Sequence, residues 1–161
     1  MLAIYLRHHV AASRGGMDLV RRAAHGQLDD ETRRELRLLA AEVAEDRDQL
    51  LAVLRRLDVA RPAVSEWVVG IAERVGRLKP NGTLLRRSPL SDVIELEALC
   101  TAVEAKRLGW VTLRLVADGD PRLDPADLDV LVARAADQQD RLERLRQRAV
   151  VGALAPAGSR Q

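Results

Sequence analysis

The sequence predicts an all-α protein: a bundle of four long helices with one long crossover between the second and the third. Three observations carry this prediction. Apolar residues recur at steps of three and four over four extended stretches. Most of those stretches open on a capping or proline signal, and the first and third are followed by glycine. Aromatic residues make up only 2% of the chain, with no Phe, so a core must be built from Leu, Val and Ala. That composition suits helix packing better than a β-sandwich, which draws on aromatic and β-branched side chains.

The first helix is expected from Leu2 to about Ala24, with Ile4, Tyr5, His8 or His9, Ala12, Gly16, Leu19 and Ala23 in register and Gly26 as its stop. Gly15 and Gly16 fall mid-helix, where each costs about 1 kcal/mol relative to Ala. They mark either a kink or a close approach of a neighbouring helix backbone, and packing is the expected reason. The second helix starts at Asp29 or Asp30, either able to cap free N–H groups, and runs to about Asp58. Its stripe reads Leu39, Val43, Asp46, Leu50, Val53, Leu57; a parallel stripe passes through Arg47 instead. One polar residue, Asp46 or Arg47, therefore interrupts the seam.

Pro62 opens a shorter amphipathic helix bearing Val64, Trp67, Val68, Ile71, Val75 and Leu78, expected to cover helices two and three. Lys79-Pro80-Asn81-Gly82 then reads as a loop. Ser88-Pro89 starts the third long helix, which runs to about Ala117 and is apolar on most sides. Gly119-Asp120-Pro121 ends it. Asp124-Pro125 opens the fourth, with Asp127 placed to complete a capping arrangement and Leu128, Leu131, Val132, Ala135, Leu142 and Leu145 facing inward. Residues 1–150 thus form one domain and 151–161 a loose tail. Ala44–Leu50 in helix two weakly resembles Ala136–Leu142 in helix four.

Composition narrows the functions available. Of 161 residues, 26 are basic and 24 acidic, a net charge of +2 that is not a nucleic-acid-binding balance. Nucleic acid is therefore not an expected partner. Cys100 is the only cysteine, which leaves no internal disulfide. No apolar run approaches the roughly 20 residues of a bilayer span, and Met1–Leu6 lacks the form of a secretory signal, so the expected location is cytoplasmic. Arg77, Lys79, Arg86 and Arg87 lie in a segment without acidic residues and form a weak candidate anion site.

Two helices on a short turn, about thirty residues of crossover, then two more helices on a short turn: by helix count and connection lengths, residues 2–149 resemble the ferritin-like superfamily. The crossover implies that helices two and three run parallel. The chain is also similar to a group of high-GC bacterial proteins of this size. Tyr5-Leu6-Arg7-His8-His9, Gly76–Gly82, Ser88-Pro89-Leu90-Ser91 and Glu95–Leu99 carry that likeness, which implies no particular activity.

The superfamily's chemistry is a carboxylate-bridged metal pair held partly by Glu-x-x-His motifs. This sequence departs from it. His8, His9 and His25 all lie in or just beyond helix one, and none follows Glu at that spacing. Helices two and four offer Asp46-Arg47-Asp48-Gln49 and Asp137-Gln138-Gln139-Asp140 instead, and neither guanidinium nor amide replaces imidazole. No metal ligand set and no cofactor is expected. In its place the reading puts an interior polar cluster. Glu97, Thr101 and Glu104 lie on one stripe of the helix expected to be most buried, to be neutralised by Arg47, His8 or His9, and Gln138 or Gln139, with Asp46 nearby. That cluster is expected to fix helix register.

The functional expectation is a non-enzymatic structural or interaction module that associates with itself as a homodimer or with another protein. One alternative is an enzyme or small-ligand binder using Glu97, Glu104 and Arg47. The other is an anion or nucleic-acid binder using the basic 74–87 segment.

Overall fold

A computed structural model describes residues 1–27, 29–61 and 88–155. Those residues form four α-helices and no strands: α1 Leu2–Gly26, α2 Asp30–Arg56, α3 Pro89–Ala117 and α4 Pro125–Leu154. The helix expected after Pro62, the Lys79–Gly82 loop, and Arg77, Lys79, Arg86 and Arg87 lie outside the described residues, as does the end of the expected tail.

The helix starts follow the chemistry read from the sequence. Asp29 caps α2, its carboxylate accepting from the Thr32 N–H at 2.7 Å. Ser88 precedes Pro89 at the first position of α3, and the Ser91 hydroxyl accepts from the Ser88 N–H. Asp124 caps α4, accepting from Ala126 and Asp127 N–H groups. The Asp127 carboxylate instead reaches Arg56 across the α2–α4 seam.

The ends differ more. α1 runs on to Gly26 and α4 to Leu154, four residues into the expected tail. α2 stops at Arg56, before Asp58, because Asp58 takes a left-handed conformation (φ 53°). The Val59 N–H then bonds the Leu54 carbonyl at 2.9 Å and the chain turns out of the helix. The close approach expected at Gly16 is absent: an added Cβ would meet nothing within 4 Å. Gly109, in α3, is closely packed (below).

α1–α2 and α3–α4 are antiparallel hairpins. Tyr5 reaches Thr112, and Glu31, Glu45 and Arg56 reach Arg148, Arg134 and Asp127. α1 is therefore antiparallel to α3, and α2 to α4. It follows that α2 and α3 point the same way and lie on a diagonal, with Arg56 and Pro89 at opposite ends of the bundle.

The apolar core is divided in two. One cluster joins Leu6 and Val10 of α1, Leu50, Leu51, Val53 and Leu54 of α2 with Leu57 just after it, Trp110, Leu113 and Ala117 of α3, and Leu128, Leu131 and Ala135 of α4. The other joins Val20, Ala23 and Ala24 with Leu36 and Leu39, Leu96, Leu99, Cys100 and Val103, and Leu142 and Leu145. Between them three inward stripes are interrupted: α2 supplies Asp46, α3 supplies Lys106 and α4 supplies Gln138. No helix among the described residues is long and apolar enough to cross a membrane.

Candidate functional site: a polar layer inside the bundle

Asp46 and Gln138 are 2% and 0% exposed, an expensive place for a carboxylate and an amide unless every group is paired. The pairing is supplied by Lys106, which extends across the diagonal from α3. Its ammonium donates to Asp46 Oδ2 and to Gln138 Oε1. The Gln138 amide donates in turn to Glu42 Oε2 at 3.1 Å and to Asp46 Oδ2 at 3.2 Å. Arg134 pairs with the second oxygen of Asp46 and with Glu45. One turn along α4, Arg141 bonds Glu35, Glu42 and Asp137 at 2.6, 2.8 and 3.1 Å.

Cations and carboxylates thus alternate across the α2–α4 seam. Burial pushes the Lys106 pKa down from its ordinary value, and Asp46 restores only part of it. Burial also opposes charge on Arg141, but its bonds to Glu42, Glu35 and Asp137 outweigh that and raise its pKa.

A small cavity of about 20 Å³ adjoins the layer, lined by Tyr5, Leu6, His9, Leu50, Lys106, Gly109, Trp110 and Leu113. It has the size of one water molecule. The His9 ring lies against the α3 backbone, and a Cβ on Gly109 would sit 2.8 Å from its Cε1. Tyr5 stacks obliquely on His9 with centroids 4.6 Å apart and donates to Thr112 at 3.1 Å. Burial, helped by the charge of His8, lowers the His9 pKa.

The structure unites Asp46 and Gln138 of the expected cluster and brings His9 to the cavity beside Lys106. It rearranges the rest. Glu97, Thr101 and Glu104 do not face the interior: the Glu97 and Glu104 side chains are 55% and 39% exposed. Glu97 pairs with Arg146, and Glu104 takes a two-pronged hydrogen bond from Arg107 on its own helix, which lowers the Glu104 pKa. The Thr101 hydroxyl bonds the Glu97 carbonyl. Arg47 is half-buried with its Nε unpartnered, and the Gln139 Oε1 is likewise without a partner.

The cause is the sidedness of α3. Leu90, Ile94, Leu108 and Leu115 flank the glutamates, so their stripe reads as apolar although it faces out. The true inward stripe is Leu96, Leu99, Val103, Lys106, Trp110, Leu113, Ala117. Lys106 marks this stripe in the sequence. It is one of two lysines in an arginine-rich chain, at the single polar step of an otherwise perfect three-four repeat.

The residues present do not fit a carboxylate-bridged metal pair. The buried Asp46 oxygens are taken by Lys106, Gln138 and Arg134, and Glu42 by Arg141 and Gln138. Among the described residues no three His, Cys, Asp or Glu side chains converge as a metal site. Comparison with known proteins adds no assignment: no protein-family model, curated protein or solved structure matches the chain.

Proposed function

We propose that this chain is a non-enzymatic helical-bundle module of ferritin-like connectivity, in which Lys106 supplies the interior cation that a metal ion supplies in metal-bearing bundles of that kind. The observation that carries the reading is the Lys106 ammonium held between Asp46 and Gln138 in the layer that splits the core. Its position sets a cation against the buried Asp46 Oδ2 and Gln138 Oε1. The parallel diagonal pair α2 and α3 supports the connectivity, and a short helix opened by Pro62 in the crossover belongs to the same proposal.

A layer of this kind gives register. Asp46 accepts only one arrangement of α3 and α4, since sliding either helix by a turn would strand a buried charge at a cost of about 3–5 kcal/mol. That is a specification of shape, suited to presenting a fixed surface to a partner.

Metal content of purified protein and its Tm with iron, manganese or zinc test the reading. Metal-free protein whose Tm is indifferent to all three is the expected result. A stoichiometric metal, lost in Asp46→Asn, would overturn it.

A further inference from the structure

Trp110 is 2% exposed, yet its indole N–H has no hydrogen-bond partner among the described residues. An indole nitrogen has one proton to give and cannot accept, so burial without an acceptor forfeits its hydration with no return. Buried polar groups in folded proteins are paired almost without exception, with protein or with ordered water. Trp110 also lines the small cavity beside the polar layer, whose walls include Lys106 and His9. At about 20 Å³ that cavity exceeds the roughly 10–15 Å³ one water needs, and it is too small for a ligand of several heavy atoms.

Two further wall groups have capacity to spare. Lys106 carries three N–H donors; Asp46 Oδ2 and Gln138 Oε1 take two, and the third remains for the cavity that the residue lines. His9 supplies an acceptor. A neutral imidazole has one bare ring nitrogen, and burial favours the neutral ring. The Tyr5 proton is already given to Thr112, and Leu6, Leu50 and Leu113 make the rest of the wall apolar. Two donors and one acceptor around this volume match a water molecule. Its lone pairs take Trp110 and Lys106, and one of its protons goes to His9. A monatomic anion would set negative charge against the bare His9 nitrogen, beside an ammonium that Asp46 already counters.

We propose that the cavity is the site of one structural water, which accepts from Trp110 Nε1 and Lys106 Nζ and donates to a ring nitrogen of His9. The water ties α1 to the polar layer. One turn from the Tyr5–Thr112 bond, it gives the α1–α3 seam a second polar link and extends the chain Glu42–Gln138–Lys106 as far as His9. The site uses Lys106 where the layer holds it and does not depend on how the helices are connected.

A high-resolution crystal structure of the full chain, grown with bromide as the only halide, tests this directly. An oxygen-sized peak within hydrogen-bond distance of Trp110 Nε1 and Lys106 Nζ, with no anomalous signal, is the expected result. In solution, Trp67→Phe leaves Trp110 as the only indole, and its Raman ring band sensitive to N–H bonding is expected at the position of a bonded indole. Four results would overturn the proposal: a bromide signal in the cavity, a well-ordered cavity with no peak, an indole bonded to a protein group instead, or a free-indole Raman band. A metal at Asp46 would stand in the same map as a separate peak and counts against the metal-free reading, not against the water.

Discussion

At the scale of single residues the molecule turns on Lys106. Its ammonium is desolvated, and Asp46 and Gln138 are buried with it, so the three groups stand or fall together. Lys106→Met leaves Asp46 with Arg134 as its remaining cation and is expected to cost about 3–5 kcal/mol in urea unfolding. Asp46→Leu should cost a similar amount. The double variant should recover most of the loss, because an apolar replacement of a buried pair is often neutral. Equal, additive costs would show that the pair is not coupled. A second residue pair is steric. Gly109→Ala drives a methyl group into the His9 ring and is expected to destabilise by about 1–3 kcal/mol. In a His9→Ala background the same change should gain roughly 1 kcal/mol from helix propensity. The reversal of sign is what a double-mutant cycle reads.

His9 also sets a pH dependence. Its folded pKa lies below the ordinary 6.5, through burial first and the charge of His8 second. Above about pH 6.5 the ring is neutral in both states and its contribution is complete. As pH falls below that value the unfolded chain takes up the proton more readily, so stability declines until the lower folded pKa is passed. Tyr5 and Lys106 share the His9 cavity and give the imidazolium no counter-charge there. Chemical denaturation between pH 5 and 8 should show this slope, and His9→Gln should flatten it.

At the scale of elements, helix starts were legible because they are local chemistry. Asp29, Ser88-Pro89 and Asp124-Pro125 each act over three or four residues, within reach of a sequence reading. Stops were less legible, since the end of α2 rests on a left-handed aspartate that no pattern announces. Asp58→Gly should therefore stabilise the chain by about 0.5–1 kcal/mol by removing that strain, and Gly16→Ala by up to about 1 kcal/mol because its methyl meets open space. Thermal melts of both variants check this, and a fall in either Tm would contradict it.

The candidate site was half legible for the same reason. Asp46 stood out as a break in one clear stripe. The weak likeness of Ala44–Leu50 to Ala136–Leu142 aligned Asp46 with Gln138, the residue it meets in the bundle. Lys106 and the outward turn of Glu97 and Glu104 were hidden because α3 has two apolar columns, and periodicity alone does not say which one a bundle buries.

At the scale of the whole molecule the four helix contacts are not alike. α3 packs most extensively on α4 and α1 on α2, whereas the α2 and α4 backbones scarcely approach each other. Their seam is instead spanned by long side chains: Arg148 to Glu31, Arg141 to Glu35 and Glu42, Arg134 to Glu45 and Asp46, Arg56 to Asp127. The outer pairs are solvated and worth about 0–1 kcal/mol each. Arg141 is different: only 17% exposed, it binds carboxylates on two helices through a planar fork. Lysine has one point charge and cannot reproduce that geometry. Arg141→Lys is therefore expected to cost about 1–3 kcal/mol, against less than 1 kcal/mol for Arg148→Lys at the exposed end of the seam. Salt separates the same two classes. At 1 M NaCl the screening length falls to about 3 Å, enough to silence Arg148–Glu31 but not the shielded Arg141 cluster. The Arg148→Lys effect should then vanish in high salt while most of the Arg141→Lys effect persists, measured as urea midpoints at 0.05 and 1 M NaCl. Loss of both effects together would mean that the seam is held by solvated charge throughout, and that α2 and α4 are joined only through their partners.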